Sequence, residues 1–99
     1  MLNEKDIIGK LYDQAEIFKH HMRRKEYLQA ALCVDTASMI ASKLEVPEDI
    51  RREIFGDRQM DEPVPGLIDE EAYLKACEWC IFHGYSNTRH TYENVMRTA

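Results

Sequence analysis

Residues 10–46, KLYDQAEIFKHHMRRKEYLQAALCVDTASMIASKLEV, contain neither glycine nor proline. An uninterrupted run of that length, with apolar residues at helical spacing, reads as helix throughout. Two helices fit. The first is predicted from about Asn3 to His21, with Asn3 as N-cap and Glu4 and Asp6 in the positive first turn. Its Ile7, Leu11, Ala15, Phe18 and Met22 recur at three and four residues, which places them in one apolar stripe. The second, from about Lys25 to Leu44, carries two adjacent stripes: Ala30, Cys33, Ala37, Ile40 and Leu44, and beside them Tyr27, Ala31, Val34, Ser38 and Ala41. So many small side chains admit a neighbouring helix at close range. A short turn near Met22–Arg24 then folds the pair into an antiparallel hairpin.

Beyond Leu44, Val46-Pro47-Glu48-Asp49 breaks the run, because the residue before proline avoids the helical region while proline suits the first turn of a new helix. A third helix is expected over about 48–55, with Ile50, Ile54 and Phe55 on its apolar edge and Gly56 as a left-handed stop. Residues 57–68 hold two prolines and a glycine and show no helical period. They form a long loop that Met60, Val64, Leu67 and Ile68 are expected to pin. A fourth helix follows over about 69–83, capped by Asp69 and stopped by Gly84, and a weaker one over about 88–97, with Tyr92, Val95 and Met96 inward and Ser86, Asn87 or Thr88 as cap. The expected fold is therefore all-α: a helical hairpin plus two or three shorter helices in a small bundle, one domain spanning 1–99.

Composition agrees with a folded domain. The 99 residues are 44% hydrophobic and 31% charged, with four glycines and three prolines, which excludes a disordered or collagen-like chain. Three cysteines are an odd number and too few for a disulfide scaffold, and no stretch is long and apolar enough to span a bilayer. The start, Met1-Leu2-Asn3-Glu4-Lys5-Asp6, is charged where a signal peptide is apolar, so a cytoplasmic location without membrane contact is expected.

Thirteen Lys and Arg against eighteen Asp and Glu give a formal charge of −5. The charge is uneven. Residues 45–71 hold ten carboxylates and three cations, whereas Lys19, Arg23, Arg24 and Lys25, with His20 and His21, make a basic corner at the hairpin turn. That corner is a candidate phosphate-binding patch, and its other reading is a set of cations offsetting a helix dipole. A pI near 5.3 opposes a polyanionic partner, so nucleic acid is the lesser expectation.

Cys77-Glu78-Trp79-Cys80 has the spacing of a redox or metal motif, and His83 and His90 would complete four zinc ligands. A helix starting at Asp69 puts both thiols well inside it, where the dipole lowers no thiol pKa and the ligands diverge around the axis. Buried cysteines acting as small apolar residues are the simpler reading. His20 and His21 point about 100° apart with no evident acid partner. Glu53, Asp57, Asp61 and Glu62 lack a calcium-loop pattern and read as a solvated acidic face. No phosphate-binding glycine loop or nucleophile-elbow motif is present, so neither a catalytic residue nor a cofactor is assigned.

Lys25-Glu26-Tyr27-Leu28-Gln29-Ala30 resembles the turn of a single tetratricopeptide-type hairpin, in which the aromatic and the alanine pack between helices. No 34-residue recurrence accompanies it, so no repeat array is implied. Over about 90 residues, the order of this hairpin, Ile54-Phe55-Gly56-Asp57, Gly66-Leu67-Ile68 and Tyr73-Leu74-Lys75-Ala76-Cys77 is similar to small uncharacterised proteins of Firmicute genomes and prophages. That similarity implies an all-helical fold and no activity.

The fourth helix carries the functional expectation. Between Ala72 and Phe82 only Lys75 and Glu78 are charged, and the apolar residues cover nearly every direction around the axis. So small a bundle cannot surround one helix, which points to a non-enzymatic interaction protein, a homodimer or the partner of another protein, with Tyr73, Trp79, Phe82 and Tyr85 as the contact. Two alternatives stand beside it: a nucleic-acid-associated regulator using Lys19–Lys25, and a thiol or zinc protein using Cys77 and Cys80.

Overall fold

In the computed structural model, which describes residues 4–57, 59–85 and 92, the glycine-free run forms two helices, α1 (Glu4–Arg23) and α2 (Tyr27–Lys43). Helices α3 (Glu48–Phe55) and α4 (Glu70–Phe82) follow. The fold is all-α. Among the described residues extended pairing is confined to an isolated bridge between Asp57 and Val64. No helix among them is long and apolar enough to cross a membrane. The expected helix over 88–97, with its caps and with Val95 and Met96, lies outside the described residues, as does Asn3; Tyr92 is described and is buried.

The hairpin turn lies two residues later than the spacing predicts. Helix α1 runs on through the cations to Arg23 because it ends in a Schellman motif: Glu26 N–H donates to His21 O at 2.9 Å, and Lys25 N–H to Met22 O at 3.1 Å. Lys25 takes the left-handed position, with φ 59°. Helix α2 stops the same way, with Glu45 at φ 47° and Val46 N–H reaching Ala41 O at 3.4 Å, and α4 likewise with Gly84 at φ 83°. Of these three left-handed stops, only the last uses glycine.

Helix α2 is the spine of the bundle, packed between α1 and α4, while α3 sits against α1. Ala30, Ala31, Val34, Ala37, Ser38 and Ala41 are its buried residues, so the small-residue face does admit two neighbours. The other stripe is only partly covered: Cys33 and Ile40 are half-buried and Leu44 is 50% exposed. Leu11, Ala15 and Phe18 of α1, Val46 ahead of α3, Ile54 and Phe55 of α3, Ile68, and Tyr73, Ala76, Cys77 and Cys80 of α4 join the buried residues of α2 in the core. Tyr92 closes it: its ring lies 4.8 Å from that of Tyr73 and 5.8 Å from that of Phe55, and its hydroxyl donates to Phe55 O at 3.1 Å.

The loop 57–68 is built rather than slack. Asp57 and Val64 exchange both backbone hydrogen bonds at 2.8 Å, then Leu67 N–H donates to Glu53 O and Ile68 N–H to Ile54 O, at 3.0 and 2.9 Å. The last carbonyls of α3 are thereby satisfied by the returning chain. Gly56, expected as an ordinary helix stop, has φ 78° and ψ −176°, an extended backbone reserved to glycine, and Gly66 passes directly against it. A Cβ on Gly66 would clash with the Gly56 nitrogen and the Ile54 carbonyl oxygen. Backbone and Ile68 hold the loop; of the other expected pins, Leu67 is half-buried while Met60 and Val64 remain exposed. Asp69 caps α4 as its position predicts, its Oδ1 accepting from Glu71 N–H at 3.0 Å.

Candidate interaction surface

Helix α4 ends where α2 begins. Cys80 Sγ lies 4.0 Å from Tyr27 O, the Trp79 ring 5.9 Å from that of Tyr27, and Lys75 Nζ 5.8 Å from the Tyr27 centroid. The last turns of α1 and α4 and the turn 24–26 therefore share one end of the molecule.

The aromatic residues there form a connected group. Half-buried Trp79 packs on Tyr27, stacks on His83 at 4.0 Å and lies nearly parallel to Tyr85 at 6.0 Å. His83 Nδ1 donates to Trp79 O at 2.8 Å, since a carbonyl can only accept, and this bond holds the imidazole over the indole. Chain reversal at Gly84, where Tyr85 N–H donates to Cys80 O at 2.8 Å, brings Tyr85 back onto Trp79. Next to this group Phe82 is 91% exposed and Ile81 54%. A phenylalanine left in water forfeits most of the roughly 1.5–3 kcal/mol that burying it would gain.

Tyr73 does not belong to this surface: it is fully buried and packs on Tyr92. Nine residues separate it from Phe82, about half a turn out of phase at 100° per residue, so the two point to opposite faces. Helical periodicity alone could have separated them. It could also have found Ile81, which neighbours Phe82 and falls off the Tyr73–Ala76–Cys77–Cys80 stripe.

The basic corner is partly neutralised from within. Glu16 pairs with Lys19 at 3.5 Å and Glu26 with Arg24 at 3.4 Å, while Arg23 Nε turns to Lys19 O at 3.5 Å. His21, which the sequence leaves without an acid, lies 3.0 Å from Glu26 Oε1, and His20 is exposed. The hydrogen bond from His21, aided by Arg24, holds the Glu26 carboxyl below its ordinary range. Arg23, Arg24 and Lys25 are exposed beside the aromatic group.

The Cys77 and Cys80 thiols are buried within α4, and burial, with Cys77 adjacent, pushes Cys80 above the usual thiol value. Burial does the same to Cys33. Among the described residues no group of three His, Cys, Asp or Glu is placed to hold a metal ion; His90 lies outside them. The acidic segment makes internal pairs instead: Arg52 bridges Glu48 at 2.7 Å and Asp57 at 3.1 Å, and Glu53 accepts from the Tyr12 hydroxyl at 2.7 Å, which raises the phenol above its ordinary value.

No family model, curated protein or solved structure matches this chain.

Proposed function

We propose that this chain is a non-enzymatic protein-binding module that self-associates through the end of α4, with Phe82 as the anchor and Ile81, Tyr85 and the edge of Trp79 around it. One observation carries the reading. Phe82 is 91% exposed at the edge of a packed aromatic group, in a helix whose fold-making contacts are supplied by other residues. An exposed aromatic beside packed aromatic neighbours is the kind of residue that dominates protein–protein contacts, because an aromatic side chain has few rotamers to lose when it is covered. Nucleic acid is the weaker reading for the same end, because Glu16 and Glu26 pair with two of the four cations of the basic corner.

Sedimentation equilibrium of the wild type and Phe82→Glu over tens to hundreds of micromolar tests this. The wild type is expected to exceed the single-chain mass of 11.6 kDa and the variant to match it. A wild type that stays at the single-chain mass, or a variant that associates as the wild type does, overturns the proposal.

A further inference from the structure

The far end of α4 carries the counterpart of its aromatic end. In front of its first turn, Phe55, Pro63, Val64, Pro65 and Ile68 line a cleft of about 800 Å³, and Asp69, Glu70 and Glu71 form its rim. Asp61 and Glu62 are exposed immediately before Pro63. The cleft is thus an apolar floor set in the most acidic part of the chain, the segment 45–71 with ten carboxylates against three cations. Phe82 is the reverse: an uncovered apolar side chain on the end where Arg23 and Lys25 are exposed, Lys75 lies over the Tyr27 ring and Arg24 is already paired with Glu26. The thirteen residues of α4 separate the two surfaces by about 20 Å, so Phe82 cannot reach the cleft of its own chain.

Resting on the self-association proposed above, we infer that its geometry is knob into cleft: Phe82 of one copy seats between Val64, Pro65 and Ile68 of a second copy, with Arg23 and Lys25 of the first facing Glu62 and Glu71 of the second. Both halves of the fit are on one chain. Opposite charge around an apolar contact orients the encounter and weakens as salt screens it. The contact joins two different surfaces, unlike a symmetric meeting of two aromatic ends, and this difference has a consequence that can be measured.

Two variants each remove one half. Phe82→Glu loses the knob and keeps the cleft; the double variant Glu62→Lys, Glu71→Lys keeps the knob and reverses the rim. All three positions are exposed, so circular dichroism is expected to show wild-type helicity. Each variant alone is expected at 11.6 kDa at concentrations where the wild type associates, and their equimolar mixture at up to twice that mass. Added salt is expected to dissociate both the wild type and the mixture. As a second reading, the emission of Trp79, the sole tryptophan, should shift to shorter wavelength in the mixture relative to either variant alone. If the wild type associates and Phe82→Glu abolishes it, yet the mixture stays at the single-chain mass or the rim variant associates normally, the cleft assignment falls and the binding role of Phe82 stands. A wild type that is a single chain throughout removes both.

Discussion

Replacing Lys25 and Glu45 by glycine should stabilise the protein. Each sits in the left-handed region, at φ 59° and 47°, as the residue that closes a Schellman motif. For a residue with a Cβ that conformation costs roughly 1–2 kcal/mol, which glycine avoids. Against this gain, glycine leaves the unfolded chain freer, at a cost of about 0.4–1 kcal/mol. The net gain is about 0.5–1 kcal/mol per site. Glu45 should gain the more, since its carboxylate stands at the negative end of α2, whereas the Lys25 ammonium is favourably placed at the end of α1. The sites flank the seventeen residues of α2, about 25 Å apart, so their effects should add. Thermal and urea unfolding of both single variants and the double variant provide the assay, with a rise of about 5–10 °C expected for the pair. Lys25→Ala and Glu45→Ala are the controls, because alanine keeps the Cβ: Lys25→Ala should not stabilise, and Glu45→Ala should gain only what removing its charge from the helix end gives, less than glycine. Glycine variants no more stable than the alanine ones would refute the assignment of these residues to the left-handed position.

Three further outcomes are expected. Gly66→Ala would drive a Cβ into the backbone of Gly56 and Ile54, breaking the hydrogen bonds that Leu67 and Ile68 make to α3 and uncovering part of Ile68; at about 1 kcal/mol per bond and a similar amount for the side chain, the urea midpoint should fall by the equivalent of about 3 kcal/mol, and an unchanged midpoint contradicts the crossing. Ser38→Ala should be neutral or stabilising by up to about 1 kcal/mol in the same assay, because Ser38 Oγ is fully buried and meets no hydrogen-bond partner among the described residues, and a clear loss would mean that it has one. Glu26→Gln tests the His21 pair through pH: a carboxyl held below its ordinary value in the folded state contributes stability that is present above the unfolded value near 4.5 and lost as pH falls through the folded one, so the wild type should exceed the variant at neutral pH and lose that advantage in acid. A pH-independent difference would assign the effect of Glu26 to something other than its charge.

The hairpin and the short helix were legible because their signals are local. A run without breakers, Pro47 at a helix start and Asp69 at a cap each act within a few residues, and α3 falls over the residues its pattern predicts, 48–55. The end of α1 was not legible in the same way. Its stop depends on a lysine adopting a conformation that marks glycine, so nothing in Arg23-Arg24-Lys25 distinguishes the last helical residue from the first of the turn. The loop 57–68 shows the same limit at longer range: Gly66 is an ordinary loop residue by composition, and only the passage of Gly56 across it explains why it lacks a side chain. For the surface on α4, the excess of apolar residues was visible, and helical phase separates Tyr73 from Phe82, but how far Trp79 is covered was not legible. Trp79 and Tyr73 are comparable in sequence, and what separates them is that Tyr92, nineteen residues beyond Tyr73, covers only the latter.

That division has an energetic meaning for α4. Tyr73, Ala76, Cys77 and Cys80 bury the helix against α2 and the core, so folding is already served without Phe82. Phe82 makes almost no contribution to the folded chain, because a side chain that stays 91% exposed is nearly as hydrated folded as unfolded. In the proposed association a substitution there acts chiefly on binding, with only the helix-end effect of a new carboxylate added to folding, whereas one at Tyr73 acts chiefly on folding. If the chain self-associates as proposed, the two equilibria, which in many small oligomers cannot be measured apart, are separable by choice of residue, and Phe82→Glu reads on binding once its helicity and unfolding midpoint match those of the wild type.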